Sequence, residues 1–151
     1  MKKDLDVLMV GHFAKDKIVV DGNEEICPGG AVYYGSVVLN RLGLDVGVAS
    51  RGNPEDFPSL QPLMDMGIEF DLHPASQSSG CINIYNSADM DHRICKLFGF
   101  AGEIPYEDIL DVKAKIWISG RSFRGVARRA CLWRKRPLPV LRPYSNRLAS
   151  M

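Results

Sequence analysis

The chain has no apolar run approaching the ~20 residues that a membrane-crossing helix needs. Its first apolar run, Val7–Val10, is short and follows mixed charges, so no secretory leader is expected either. Its four cysteines (Cys27, Cys81, Cys95 and Cys131) form no CxxC and have no histidine at metal-ligand spacing. That pattern argues against zinc and against a disulfide framework, and the expected setting is a reducing cytoplasm. No Gly-Lys-Ser/Thr follows a glycine-rich loop, and no GxGxxG lies between the first strand and its helix, which argues against a Walker-type loop and a dinucleotide fingerprint. His12, His73 and His92 share no ligand spacing and read as ordinary histidines. Acidic residues are missing from one end: residues 121–151 carry nine Lys/Arg and no Asp or Glu, a charge of +9, against −8 for residues 1–120. The net charge of +1 therefore hides two segments of different character.

What is present in residues 1–120 is the patterning of an α/β protein with an ordinary soluble composition, 46% hydrophobic and 25% charged. Leu5–Val10 reads as a strand buried on both faces. Lys17–Val20 and Glu24–Cys27 read as short strands about an Asp21-Gly22-Asn23 turn. Gly30–Leu42 reads as an amphipathic helix whose apolar positions are Val32, Val38, Leu39 and Leu42, with Gly43 as its C-terminal cap. Asp45–Ala49 is the next strand and Pro54–Met66 a short helix, with Glu55 and Asp56 suited to its N-terminus. Ile68–Leu72, Cys81–Tyr85, Ile94–Phe98 and Ile116–Ser119 read as strands, Asn86–His92 as a polar turn containing Asp89 and Asp91, and Tyr106–Leu110 as a short helix. Strand–helix alternation implies a parallel sheet with helical crossovers. The extra short strands imply a second, smaller sheet over its edge.

Two clusters carry chemistry. In Gly11-His12-Phe13-Ala14-Lys15-Asp16 a carboxylate follows a strand end, where ligands gather in parallel sheets. Asp16 could accept two hydrogen bonds from vicinal hydroxyls, although from spacing alone a solvated turn carboxylate beside Lys15 and Lys17 is the plainer reading. In Cys27-Pro28-Gly29-Gly30-Ala31-Val32-Tyr33-Tyr34, Gly29 and Gly30 let backbone approach a ligand and free the N–H groups of a helix start. That start could serve a hydroxyl, a phosphate or nothing. Of Tyr33 and Tyr34, one is expected to face a ligand and the other to pack in the core.

The ordered set of these features resembles the opening of the ribokinase/PfkB-type carbohydrate kinases over roughly residues 5–120. The set runs from the Gly11–Asp16 segment through Gly29-Gly30-Ala31 and a helix ending Arg41-Leu42-Gly43 to Val46-Gly47-Val48, Gly52-Asn53-Pro54-Glu55-Asp56-Phe57 and Leu63-Met64-Asp65-Met66-Gly67-Ile68. The resemblance implies part of a doubly wound, ribokinase-like parallel sheet with a small β lid, formed by strands at about 17–27 and 81–98, and lacking the carboxy-terminal half of the fold. It implies that Asp16, Gly29, Gly30 and Tyr34 line the site for a sugar or polyol. Tyr34 stands where many members have Asn, which leaves the acceptor open, a cyclic polyol or nucleoside included. ATP and Mg2+ are implied for the full-length family. The Gly-Ala-Gly-Asp segment that supplies the family's general base and phosphate cradle occurs nowhere after residue 52. No catalytic residue is assigned, ATP and Mg2+ are not expected to bind this chain alone, and the chain is expected to be a catalytically incompetent, truncated phosphotransferase.

Two other readings differ in class. One is a non-catalytic small-molecule-binding or regulatory fragment. The other, less favoured because aromatic residues are sparse and no module is recognisable, is a nucleic-acid binder acting through the basic tail. Residues 121–151, rich in Arg and interrupted by Pro137, Pro139 and Pro143, read as a disordered or frameshifted tail. Sequencing the gene and transcript around this junction tests that reading. A shifted frame is expected to continue with strand–helix repeats and a Gly-Ala-Gly-Asp loop, and the same tail found in homologues would refute it.

Overall fold

The computed structural model describes residues 4–105, 109 and 112–119. Along the chain run β1 (Leu5–Val10), β2 (Ala14–Val20), β3 (Asn23–Gly29), α1 (Ala31–Arg41), β4 (Val46–Gly52), a 3₁₀ helix (Pro54–Leu60), α2 (Gln61–Asp65), β5 (Glu69–Pro74), β6 (Gly80–Asn86), β7 (Asp89–Gly99) and β8 (Ala114–Ser119). They form two four-stranded sheets, ordered β5-β4-β1-β8 and β3-β2-β6-β7. The first is parallel throughout, as near-continuous apolar strands require. The expected helix Tyr106–Leu110, apart from Ile109, and the tail 121–151 lie outside the described residues. No helix among the described residues is long and apolar enough to cross a membrane.

Alternation along β1 and β4 divides the core. Val7, Met9, Val46 and Val48 face one side, where Val32, Leu60 and Leu63 cover them. Leu8, Val10 and Ala49 face the other, against Ile104 and Ile109. The chain runs from β1 through α1 to β4 and through α2 to β5, then returns to place β8 on the far side of β1. The order thus reverses at β1, the position where ligands settle beyond strand C-termini in such sheets.

The core face of α1 differs from the expected one. Val32 and Ser36 are buried and Leu39 packs beside them, whereas Val38 and Leu42 are 58% and 72% exposed. At about 100° per residue, positions 32, 36 and 39 form one stripe and 38 and 42 lie on its far flank. Ser36 tolerates burial because its hydroxyl donates to the Tyr33 carbonyl at 2.9 Å. The helix ends as expected at Gly43, whose φ of 83° permits the paired closing bonds Gly43 N–H to Asn40 O and Leu44 N–H to Leu39 O.

The second sheet also departs from expectation at its turns. Asp21 and Gly22 alone, both at positive φ, make a two-residue hairpin, and Asn23 already pairs with Val20. The second hairpin turns at Ser87-Ala88, so Asp89, Asp91 and Arg93 belong to β7 and not to a turn. Every residue of Asp89–Phe98 is exposed, which removes the alternation by which a strand is recognised. Asp21 accepts from the Ser87 N–H at 3.1 Å, joining the two hairpin tips.

At the other end of this sheet β2 and β6 approach so closely that a Cβ on Gly80 would run into the Lys15 carbonyl. Gly80→Ala is expected to destabilise the protein by about 1–3 kcal/mol, because backbone and not a flexible side chain would have to yield. The check is a lower urea midpoint with an unchanged slope. An unaltered midpoint would mean the strands part at no cost.

Candidate functional site

Asp16 lies within β2, not in a loop after a strand end. The chain leaves the core sheet at Gly11 and is already paired again by Ala14, so Asp16 stands opposite Cys27 of β3. Its Oδ1 accepts the Cys81 N–H at 2.7 Å. That bond fixes the carboxylate and leaves acceptor lone pairs for further donors, Oδ2 above all. Lys15 and Lys17 do not neutralise Asp16. Alternation sends them to the opposite face, where they pair with Asp56 at 2.7 Å and Glu24 at 2.6 Å.

Gly29, Gly30 and Tyr34 gather at the same place. A Cβ on Gly29 would stand 3.0 Å from Asp16 Oδ2 and 3.7 Å from Tyr34 Cε2 and Oη, so the absence of a side chain lets carboxylate and phenol close on the backbone at the start of α1. Gly30 precedes α1 at φ 94° and packs its backbone against His12 and Ala14, where a Cβ would lie 3.0 Å from the His12 carbonyl oxygen. No side chain caps α1 and no acid occupies its first turn. Tyr34 is 61% exposed, while Tyr33 packs on the core and meets the Tyr34 ring edge-on at 5.3 Å. The structure therefore brings together all four residues singled out from the sequence. Cys27 and Cys81 flank Asp16, and burial, reinforced by neighbouring groups that include Asp16 itself, pushes both thiols up, so they remain protonated at neutral pH. A separate depression of ≈ 410 Å³ at the hairpin tips, lined by Asp21, Ile84, Tyr85, Asp89 and Arg93 among others, does not include Asp16.

Sequence reasoning missed the polar seam behind this site. Asp56 read only as an acid suited to a helix start, and Ser78 carried no signal at all. In the structure Asp56 Oδ1 accepts from Lys15 Nζ and its Oδ2 from the Ser78 hydroxyl, each at 2.7 Å, while Ser78 Oγ accepts the Asn53 N–H at 3.0 Å. Burial pushes the Asp56 carboxyl up, but the Lys15 and Ser78 donors and the Lys15 charge outweigh it and hold the group below its ordinary value. His12 is likewise more than an ordinary histidine. Its Nδ1 lies 2.8 Å from Ser79 Oγ, which also receives the Ala101 N–H, and its ring meets Phe100 edge-on at 5.4 Å. Burial lowers its pKa, with the Arg51 charge adding to the shift and the Gly102 backbone opposing it.

No protein-family model matches the chain, and no curated protein does. Among solved structures, a pyrophosphate-dependent kinase in the ribokinase family, determined as a sulfate complex, is 29% identical with a TM-score of 0.66 over 74% of this chain and 40% of its own. A pyrophosphate-dependent kinase in the ribokinase family complexed with a pyrophosphate analog and myo-inositol is 25% identical, with a TM-score of 0.65 over 75% and 39%. Arabidopsis thaliana ribokinase, complexed with ribose and ATP, shares 14% identity and the fold alone, with a TM-score of 0.65 over 80% and 46%. The chain thus spans about 40% of the length of the first of these.

The shifted groups make the protein acid-sensitive in two windows. Unfolded His12 takes up its proton near 6.5 and folded His12 only at lower pH, so its contribution is full above 6.5 and declines as pH falls toward the folded value. Asp56 contributes fully above 3.8 and loses its contribution as pH falls through its lowered folded value. Between about pH 7.5 and about pH 5 the urea midpoint is expected to fall in the natural chain and to fall less in His12→Gln. Equal slopes in the two would remove His12 as the cause.

Proposed function

Since the chain carries the fold of the ribokinase-family kinases over the part it shares with them, we propose that it is the acceptor-binding part of a carbohydrate or polyol kinase. The observation that carries this is the Asp16 carboxylate, pinned through Oδ1, with Oδ2 turned toward Gly29 and near the exposed Tyr34 ring at the start of α1. A fixed carboxylate oxygen accepts from hydroxyl groups, and an exposed aromatic ring offers a flat apolar wall to the C–H face of a sugar or cyclic polyol. The same carboxylate decides what the start of α1 can hold. An uncapped helix N-terminus favours an anion, but Asp16 Oδ2 beside Gly29 would repel a phosphate, so the site suits a neutral hydroxylated ligand.

The phosphoryl donor does not fit the described residues. No group of three His, Cys, Asp or Glu side chains placed to hold a metal ion occurs among them. Transfer depends on positioning and neutralising the moving phosphoryl group, and the sequence holds no Gly-Ala-Gly-Asp segment for that task. The proposed activity of this chain alone is therefore binding of a sugar or polyol without phosphorylation. Solved neighbours hold myo-inositol and ribose, which makes these the first ligands to try.

Isothermal titration with myo-inositol and with ribose tests the proposal. One of the two is expected to bind. Asp16→Ala removes a charge-assisted contact worth about 1.5–3 kcal/mol and should weaken binding by about tenfold or more. Gly29→Ala, whose Cβ would press on Asp16 Oδ2 at 3.0 Å, should displace that oxygen and weaken binding as Asp16→Ala does. Binding that survives both substitutions would remove Asp16 from the site. Phosphorylated product formed by this chain with ATP or pyrophosphate would overturn the non-catalytic part.

A further inference from the structure

We propose that Lys15, Asp56 and Ser78 form a latch that positions Asp16, so that the ligand-binding carboxylate is set from the opposite face of the second sheet. Lys15 and Asp16 are consecutive residues of β2 and point to opposite sides. Asp16 holds its place through one bond, the Cys81 N–H to Oδ1. That bond exists only while β2 and the start of β6 keep their spacing. Asp56 grips both: Oδ1 takes the Lys15 ammonium from β2, and Oδ2 takes the hydroxyl of Ser78, which lies two residues before β6 begins at Gly80. Asp56 itself is anchored to the core sheet, because its 3₁₀ helix follows β4 directly and Asn53, which caps that helix, donates its N–H to Ser78 Oγ.

The arrangement is not an ordinary surface ion pair. The Asp56 side chain is 13% exposed and the Lys15 side chain 38%, and both carboxylate oxygens are engaged. Exposed pairs contribute little, whereas removing one partner of a largely buried carboxylate leaves it uncompensated. At the same point β2 and β6 are joined by the Lys15 N–H to Ser79 carbonyl bond of 2.8 Å, so a change at Lys15 or Ser78 is transmitted within one residue to Asp16 and within three to Cys81. Lys15, Asp56 and Ser78 are positioning residues, since they are bonded to one another on the side of β2 away from Asp16.

This inference rests on Asp16 being the polyol-binding group, but its test has a readout independent of any ligand. The Cys81 amide reports the bond to Asp16 directly. Amide hydrogen exchange in the full 151-residue chain is compared among the natural protein, Lys15→Met, Lys15→Arg and Asp56→Asn. Lys15→Met retains the aliphatic stem, which guards against misfolding. In Lys15→Met and Asp56→Asn the Cys81 amide is expected to exchange about tenfold faster, in line with loss of a charged hydrogen bond, while the β1 amides keep their rates. Lys15→Arg should restore the natural rate, and myo-inositol affinity should follow the same order. Unchanged Cys81 exchange in both disrupting variants, or exchange that rises equally in β1 and β6, would overturn the latch. Selective acceleration at Cys81 in a protein that binds no myo-inositol would uphold the latch and count against the proposed ligand.

Discussion

Where the core sheet hands the chain to the second sheet, backbone packs directly on backbone, and the geometry on either side depends on that contact. Gly30 lies against His12 and Ala14, Gly80 against the Lys15 carbonyl and Gly99 against the Ser78 carbonyl, at distances that leave no room for a Cβ. Several chain crossings share this narrow seam, where backbone and small residues set the spacing. Several polar groups exposed by these crossings are satisfied locally: Ser50 Oγ receives the Phe13 N–H, Ser79 Oγ the Ala101 N–H, and Asp56 the Lys15 and Ser78 donors. Small residues and short polar side chains meet there because each removes either volume or an unpaired donor.

The seam also separates charges of opposite use. Four groups bearing charge lie close in sequence, Lys15, Asp16, Lys17 and Glu24, and strand alternation sorts them. Lys15 and Lys17 find carboxylates on one face, while Asp16 on the other receives the Cys81 N–H, near thiols that burial keeps protonated. Had Asp16 paired with either lysine, its free oxygen would already be taken. A carboxylate with no cation partner among the described residues is a good acceptor for hydroxyl donors, whose dipoles it can align without competition. Under the proposed function, that arrangement suits a hydroxyl-bearing ligand.

What was legible in the sequence followed from burial. β1 and β4 are apolar on both faces because the sheet is covered on both, and their runs announced themselves, as did the Gly43 cap and the Asp21-Gly22 turn. The first half of β7 was illegible because no residue in it is buried, so no alternation is imposed on it. The face of α1 was misjudged because counting apolar residues favoured Val38 and Leu42, whereas close approach to β1 selects small residues: Gly35 lies against Met9, and Ser36 is buried. Asp16, Gly29, Gly30 and Tyr34 could be placed together from their order along the chain. Asp56 could not be joined to them, since an acid at a helix start is explained equally well by the helix dipole, and Ser78 sits in a loop whose composition specifies nothing.

The position of the site within the sheet order constrains how chemistry could reach it. The chain departs β1 at Gly11 into β2, so Asp16 belongs to the strand that rises directly from the carboxyl end of β1, at the point where the order β5-β4-β1-β8 reverses. On the β4 side the ground is occupied: Asn53 and Asp56 follow β4 immediately and are committed to Lys15 and Ser78. Under the proposed function, a phosphoryl donor therefore has to approach a hydroxyl held by Asp16 from the β8 side of β1. That same side presents Ile116, Trp117 and Ile118 as exposed apolar residues on both faces of a parallel strand, a kind of strand that is stable when both faces are covered. Under the proposed function, the acceptor is held by β2, β3 and the start of α1, while the donor approaches along β8, the strand whose apolar faces are exposed.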